Sequence, residues 1–241
     1  MRQDTIAPPP LLTRDFIRAR LSAFVPAAPR GDVATATHLM NMGELTPYES
    51  GYISAVPTLR TSYAQSFGAP VAVAALTPAA VLVPLVQHDD GFTVVLTQRA
   101  ESLSSHAGQI SFPGGRLEES DVDAVAGALR EAEEETGLPP SAVEVLGRLD
   151  AYVTVTGYEV TPIVGAITPP IDLTPDPIEV ADIFEVPLDF FLNPANHQRV
   201  KRDVDGQTRA YYAMPFGDRY IWGATAGMLV NLYEVVLSLE R

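Results

Sequence analysis

The stretch from Gly114 to Leu138, GGRLEESDVDAVAGALREAEEETGL, constrains the fold of this chain more than any other segment. It opens with two glycines, which allow the backbone to turn sharply. Apolar residues then recur at the spacing of one helix face; these are Ala124, Val125, Ala128, Leu129 and Ala132. Gly137 follows as a helix-ending residue, and Pro139-Pro140 prevent continuation. The pattern predicts an amphipathic helix over Asp121–Thr136.

Three glutamates of this predicted helix share one face. Glu131, Glu134 and Glu135 stand at positions i, i+3 and i+4, so their side chains meet within about one turn. Like charges at this spacing destabilise a helix by about 0.2–0.5 kcal/mol per pair. A divalent cation reverses that effect, because Mg²⁺ accepts one or two carboxylates together with waters and substrate phosphates. The pattern indicates metal-dependent phosphate chemistry, whereas a solvated glutamate-rich face is the simpler alternative.

The second half of the same stretch resembles a known family. REAEEETGL, from Arg130 to Leu138, matches every fixed position of the Nudix pattern, which is Arg-Glu, an apolar residue, Glu-Glu, a glycine and a final apolar residue. Gly115 stands fifteen residues before Arg130, one more than in the general Nudix box. The acid of the first half of the box has three candidates, which are Asp121, Glu119 and Glu118.

The longer spacing is similar to that of the coenzyme A diphosphatase branch of the Nudix family. Four flanking segments resemble the same branch; they are Leu96–Gly115, Thr156–Gly165, Phe184–His197 and Ile221–Leu229. The resemblance implies a Nudix fold, an α/β (α+β) architecture with a mixed sheet sandwiched between helices. It also implies hydrolysis of the diphosphate in coenzyme A or acyl-CoA, giving 3′-phospho-ADP and 4′-phosphopantetheine, with Mg²⁺ or Mn²⁺. A homodimer would be consistent with the family.

The resemblance assigns catalytic roles to several acidic residues. The metal ligands would be Glu131, Glu134 and Glu135, and Glu131 would alternatively act partly as a base. A base from outside the helix is usual in this family; the candidates are Glu179 first, then Glu159 and Glu185. Arg130 would pair with a carboxylate and hold the helix against the preceding loop, and a plain structural salt bridge is an equally good interpretation.

Substrate-binding candidates lie just before the helix. Arg99 and Arg116 are predicted to bind phosphate, because guanidinium groups make charge-assisted and often bidentate bonds to it. Gly114 and Gly115 would let the backbone approach a ligand or the helix closely. His106 lies in the segment that resembles the coenzyme A branch, where it would contact substrate or anchor its loop.

Charge and cysteine content exclude several other functions. The 16 basic and 30 acidic residues give a net charge of −14, which opposes binding to nucleic acids and to anionic membranes. An anionic substrate therefore needs a metal ion and a local basic patch. The absence of cysteine excludes disulfides, zinc–thiolate sites and thiol nucleophiles. It is also compatible with a reducing compartment, and we expect a cytoplasmic protein.

The chain divides into an N-terminal extension and a catalytic domain. Residues 1–77 are predicted to pack on the core or to build an oligomer interface, and residues 78–241 form the Nudix domain. The uncharged stretch Ala69–Val86 is broken by prolines and is better explained as a strand than as a membrane span. Further predicted elements are a helix over Thr13–Phe24, a hairpin of Ala80–Val86 with Phe92–Gln98, a short helix or turn over Glu179–Phe184, a hairpin of Arg209–Met214 with Arg219–Trp222, and a helix over Thr225–Leu239.

Two alternatives to the coenzyme A hypothesis remain open. The first keeps the chemistry and changes the substrate to ADP-ribose, a dinucleotide or a nucleoside triphosphate. The second is a Nudix-like module that binds a ligand without hydrolysing it. All three motif glutamates are present, which argues against a loss of catalysis.

Overall fold

The computed structural model describes residues 12–26, 29–42, 46–47, 76–103, 106–204 and 207–237. Within them the helices are α1 (Arg14–Ala23), α2 (Asp32–Met42), α3 (Ala124–Thr136), α4 (Leu188–Leu192) and α5 (Gly223–Leu237). The strands are β1 (Arg30–Gly31), β2 (Thr46–Pro47), β3 (Thr77–His88), β4 (Gly91–Arg99), β5 (Ile110–Ser111), β6 (Gly114–Arg116), β7 (Val143–Arg148), β8 (Tyr152–Val153), β9 (Tyr158–Ile167), β10 (Val180–Pro187), β11 (Gln198–Val204), β12 (Gln207–Phe216) and β13 (Arg219–Trp222).

The apolar strand β3 lies in the middle of the larger sheet. It turns back through Asp89-Asp90 into β4, which pairs with it antiparallel, so the first predicted hairpin is confirmed. On its other side β3 pairs in parallel with β9 from Thr77 to Val86. Among the described residues this sheet has nine strands. Six follow the order β1-β8-β9-β3-β4-β10, while β5 pairs with β4, β6 with β3 and β7 with β9.

The described residues also form a second, smaller sheet. Its strands follow the order β13-β12-β11-β2 within the described residues. The predicted closing hairpin is confirmed, because Met214 of β12 faces Ile221 of β13 in an antiparallel ladder. The strand β11 and the parallel contact of β2 with it were not predicted from the sequence.

Helices cover both faces of the larger sheet. On one face, Ala128 and Ala132 of α3 pack against Ala80 and Leu82 of β3. On the other face, α5 contributes the buried side chain of Leu229 to a larger cluster that also contains residues of α1 and α4. The two faces of β3 are therefore both apolar, as expected of a strand buried between layers. The predicted fold class, a mixed sheet between helices, is confirmed.

One predicted element and one predicted helix boundary are wrong. The segment Glu179–Phe184 was expected to form a short helix or turn, but Val180–Pro187 is the strand β10. It pairs antiparallel with β4, so an unpaired edge of the sheet decided its conformation. The catalytic helix begins at Ala124 instead of Asp121, because the Asp123 side chain accepts the Ala126 N–H at 2.8 Å and caps the helix there.

The N-terminal segment is described in part. Thr13 caps α1 by accepting the Phe16 N–H at 3.1 Å, and Ile17 and Leu21 are buried, so the predicted first helix is confirmed. Of the uncharged stretch, the residues from Thr77 onward form β3, whereas residues 69–75 lie outside the described ones. Within the described ranges no helix has the length and apolarity needed to cross a membrane. The division at residue 77 stays a prediction.

Candidate active site

Three features of the sequence determine the bounds and the packing of helix α3: its N-cap, its apolar stripe and the glycine that ends it. Ala128 and Ala132 of the predicted stripe are fully buried against the sheet. Gly137 ends the helix with φ 69°, and its N–H donates to Glu133 O at 2.8 Å. A left-handed residue of this kind favours glycine, since a side chain would strain the turn. The sheet therefore fixes the orientation of α3, and Glu131 and Glu135 lie beside the apolar stripe, where they contact β6.

The two glycines before α3 form the short strand β6. Gly114 pairs with Val81 and Gly115 with Ala80 of β3, so this segment is held at the sheet. The Glu131 carboxylate lies directly against Gly115: a Cβ at that position would stand 2.5 Å from Glu131 Cδ. The close approach predicted for this glycine therefore exists within the protein, between β6 and α3.

Arg130 connects the helix to the loop before it. Its Nε and Nη2 donate to the two carboxylate oxygens of Asp121 at 3.1 and 3.0 Å. Its Nη1 donates to Glu131 Oε1 at 3.1 Å and to Glu134 Oε2 at 3.0 Å. The hydrogen bond from Arg130 lowers the pKa of Asp121, and the Glu118 N–H adds a second donor. Among the three candidate acids, Asp121 is the one that pairs with Arg130.

The three motif glutamates differ in burial. The Glu135 side chain is 4% exposed, the Glu131 side chain 17% and the Glu134 side chain 60%. Burial raises the pKa of Glu135 to about 7, although Arg99 at 3.6 Å and the Gly114 N–H at 3.4 Å oppose the increase. Burial likewise raises the pKa of Glu131. Glu131 and Glu135 thus point toward the interior, while Glu134 lies at the solvent-exposed border.

Glu179 reaches this site because the loop before β10 folds over the end of α3. The Thr174 N–H donates to Thr136 O at 2.8 Å, and the Asp176 N–H donates to Glu135 O at 3.0 Å. The Glu179 carbonyl then accepts the Ala100 N–H at 2.8 Å. Besides burial, repulsion by the Glu179 carboxylate contributes to the raised pKa values of Glu131 and Glu135.

The other two candidate bases lie on strands of the larger sheet. Glu185 is at 2.7 Å from His88 Nε2 and also accepts the Thr93 hydroxyl, so its carboxylate is used on β10 and β4. Glu159 stands on β9 opposite Val153 of β8. Glu179, in contrast, contributes to the raised pKa values of Glu131 and Glu135.

The donor set fits a hard divalent cation. Within the described residues, no group of three or more carboxylate or imidazole side chains is arranged to hold a metal ion without rearrangement. Mg²⁺ needs only one or two protein carboxylates, because waters and substrate phosphates supply the other ligands. The mutual repulsion of Glu131, Glu135 and Glu179 is the feature that a cation would relieve.

A cavity of about 850 Å³ opens beside these groups. The predicted substrate-binding residues line it together; they are Arg99, His106, Gly114, Gly115 and Arg116. Arg116 donates from Nε and Nη2 to the Tyr158 hydroxyl at 3.0 and 2.6 Å, and its guanidinium lies 5.4 Å from the Tyr158 ring centre. His106 adopts φ 56° and donates from Nδ1 to Gln109 Oε1 at 2.9 Å, which anchors its loop.

The interior of the cavity is mostly apolar and was not predicted from the sequence. Its walls include Ile110, Phe112, Tyr211, Trp222 and Met228. Some of these residues belong to segments that resemble the coenzyme A branch, so that resemblance was a signal for them. A further wall comes from α2, for which no motif gave a signal.

Comparison with known proteins identifies the class. The NUDIX domain family matches residues 76–203, which is more than half of the chain. The chain therefore belongs to the Nudix family, and it is a Nudix diphosphatase, an enzyme of the class that hydrolyses derivatives of nucleoside diphosphates.

The chain is similar to several individual proteins. The uncharacterized Nudix hydrolase NudL of Escherichia coli strain K12 is 42% identical over 154 residues, covering 64% of this chain and 80% of NudL. Among solved structures, a C. elegans Ap4A hydrolase binary complex has a TM-score of 0.41 at 19% identity and covers 46% of this chain and 80% of that one. The Nudix domain of Shewanella oneidensis NrtR with ADP ribose has a TM-score of 0.36 at 23% identity, covering 52% and 77%.

Proposed function

We propose that this enzyme hydrolyses the diphosphate of coenzyme A or an acyl-CoA, releasing 3′-phospho-ADP and 4′-phosphopantetheine. The observation that carries the proposal is the cavity, which extends from the glycines and arginines beside α3 into an apolar interior. If the diphosphate binds at the polar end of the cavity, one half of the substrate extends into this apolar interior. The pantetheine arm, a long chain of methylene and amide groups, suits such a lining better than a compact polar sugar does.

Glu131, Glu134 and Glu135 are the residues that would hold Mg²⁺ or Mn²⁺. When bound, the ion neutralises charge on the phosphoryl oxygens and lowers the pKa of a bound water. Arg130 already bonds to Glu131 and Glu134, so it restrains both carboxylates. Its two bonds to Asp121 hold the loop and the helix together while the carboxylates are engaged.

Arg99 and Arg116 are the proposed phosphate-binding residues. Both line the cavity, and Arg99 stands 3.6 Å from Glu135 on the side of the glutamates. Tyr158 holds the Arg116 guanidinium in place, which reduces the entropy lost when it binds a phosphate. Guanidinium groups stabilise the charge that develops on phosphoryl oxygens during hydrolysis. His106 would contact the substrate from the same side.

Glu179 is the proposed base. A water oxygen attacks one phosphorus, the bond to the bridging oxygen breaks, and the departing phosphate monoester keeps the electron pair. Glu179 accepts the proton of the attacking water, with Glu131 as the alternative acceptor. The support for Glu179 is that its charge contributes to the raised pKa values of Glu131 and Glu135.

Product analysis tests the proposal. The purified protein is incubated with coenzyme A and Mg²⁺ or Mn²⁺, and a parallel sample contains EDTA. Release of 3′-phospho-ADP only in the presence of metal is the expected result. If coenzyme A remains intact while ADP-ribose or a dinucleotide is cleaved under the same conditions, the coenzyme A assignment is wrong and the Nudix chemistry stands.

A further inference from the structure

The helix α2 forms one wall of the cavity although it precedes the Nudix domain. Asp32, Val33, Thr35 and Ala36 all line the cavity. The NUDIX family match begins at residue 76, so this wall lies outside the matched segment. Helix α2 also packs against β12 and α5, which contribute other parts of the same lining. The N-terminal segment is therefore part of the cavity itself.

Asp32 connects the start of α2 to another part of the cavity wall. Its Oδ1 accepts the Tyr152 hydroxyl at 2.9 Å, and its Oδ2 accepts the Val155 N–H at 2.8 Å. Tyr152 is 2% exposed, so one of these bonds lies in the interior. The next residues, Thr154 to Thr156, line the cavity as well. A single carboxylate thus joins two parts of the cavity wall.

Arg30 provides a second attachment directly before α2. Its N–H donates to Ala151 O at 2.8 Å, and its Nε donates to Asp150 Oδ2 at 2.8 Å. Asp150 is 2% exposed, and Arg30 also forms an ion pair with Glu234 of α5. Helix α1 is attached differently, because Arg14 and Arg18 bind Glu144, whose side chain is 44% exposed.

The negative charge of Asp32 makes it unsuited to binding an anionic substrate. A carboxylate beside an anionic substrate disfavours binding through repulsion. Both of its oxygens are already bonded to protein donors, and partial burial raises its pKa. His106 on the loop across the cavity attracts it electrostatically. These contacts fit a side chain that positions the wall and does not bind phosphate.

We propose that α2 is the wall that selects the substrate beyond its diphosphate, and that Asp32 is the positioning residue that holds this wall. This proposal depends on the proposed function in one respect: it assumes that the substrate carries a long group on one side of the diphosphate. With the wall in place the cavity encloses this group. Without it the cavity opens, and enclosure is lost while the glutamates of α3 remain unchanged.

The test compares Asp32→Ala and Asp32→Asn with wild type. In Asp32→Ala, KM for the substrate is expected to rise about tenfold, since bonds to a charged group are lost, while kcat stays within about twofold. Asp32→Asn keeps one acceptor oxygen, so it falls between wild type and Asp32→Ala. Glu144→Gln is the matched control, because it weakens the ion pairs between α1 and β7 and Glu144 lines no part of the cavity; both constants should stay unchanged.

A second readout does not require a substrate. Trp222 is the sole tryptophan of the chain, lines the same cavity and is 7% exposed. Acrylamide should quench its fluorescence more strongly in metal-free Asp32→Ala than in wild type or Glu144→Gln. If wild type does not cleave coenzyme A, the kinetic comparison uses another diphosphate that it does cleave, so the two proposals fail separately. The proposal is wrong if both the quenching and the KM of Asp32→Ala equal those of wild type. It is also wrong if Asp32→Ala lowers kcat alone.

Discussion

Substitution of Gly115 by alanine should lower enzymatic activity strongly while it leaves the stability of the fold nearly unchanged. A Cβ at Gly115 would lie 2.5 Å from Glu131 Cδ and Oε2, whereas ordinary contact begins at 3.4 Å. The carboxylate therefore has to move by about 0.9 Å. The atoms it meets are the far end of a flexible side chain, so the fold absorbs the change easily. The same displacement moves a proposed metal ligand, and a shift of about 1 Å in an active site can reduce the rate by about 100-fold.

Gly114→Ala is the matched control because its clash is with the main chain. There a Cβ would stand 2.4 Å from Ala80 O and 2.6 Å from Val81 Cα, and the glycine adopts φ 154°. Backbone atoms of β3 cannot move aside in the way a glutamate can. We expect Gly114→Ala to lose about 3 kcal/mol or more of unfolding free energy, within the range of severe overpacking.

The assay combines kinetics with unfolding. We expect kcat/KM of Gly115→Ala to fall by about 100-fold with its urea midpoint near that of wild type, a change of less than about 1 kcal/mol. Gly114→Ala should instead unfold at clearly lower urea concentration. Near-normal kcat/KM in Gly115→Ala would refute the reasoning, because Glu131 would then not need the position that Gly115 leaves open.

Three further predictions concern the carboxylates, the metal and one histidine. Glu135→Gln should lower kcat/KM by at least about tenfold while the urea midpoint stays at or above that of wild type, since a strained buried charge is removed. Mn²⁺ at ten times its Kd should raise the unfolding free energy by about 1.4 kcal/mol in wild type and not in Glu131→Gln, as calorimetry can check. Burial lowers the pKa of His197, whose Nε2 donates to Phe191 O at 2.6 Å, so the unfolded chain binds the extra proton. Stability should therefore fall as pH drops below about 6.5, and urea unfolding of His197→Gln should show a flatter pH dependence.

Elements with a strong local pattern were predictable from the sequence. The α3 stripe, the Thr13 cap and the hairpin around Asp89-Asp90 each depend on residues that are neighbours in the chain. The order of glycines, arginine and glutamates predicted which side chains would meet at α3. Local periodicity and the chemistry of turns were sufficient for these features.

Features that depend on distant partners were not predictable in this way. The strand β10 forms because β4 offers a free edge, and no property of Glu179–Phe184 alone indicates it. Asp32 meets Tyr152 across a sequence separation of 120 residues, so its place in the cavity follows only from the fold. The unequal burial of Glu134 and Glu135 likewise depends on β6, Arg99 and the loop before β10.

Anomalous diffraction from crystals grown with Mn²⁺ tests the central claim most directly, because it locates the metal without assuming a substrate. We expect an anomalous peak at the carboxylates of Glu131 and Glu135, and no such peak in crystals of Glu135→Gln. A Mn²⁺ peak that contacts none of the α3 glutamates, under conditions where the same preparation cleaves its substrate, would contradict the central claim.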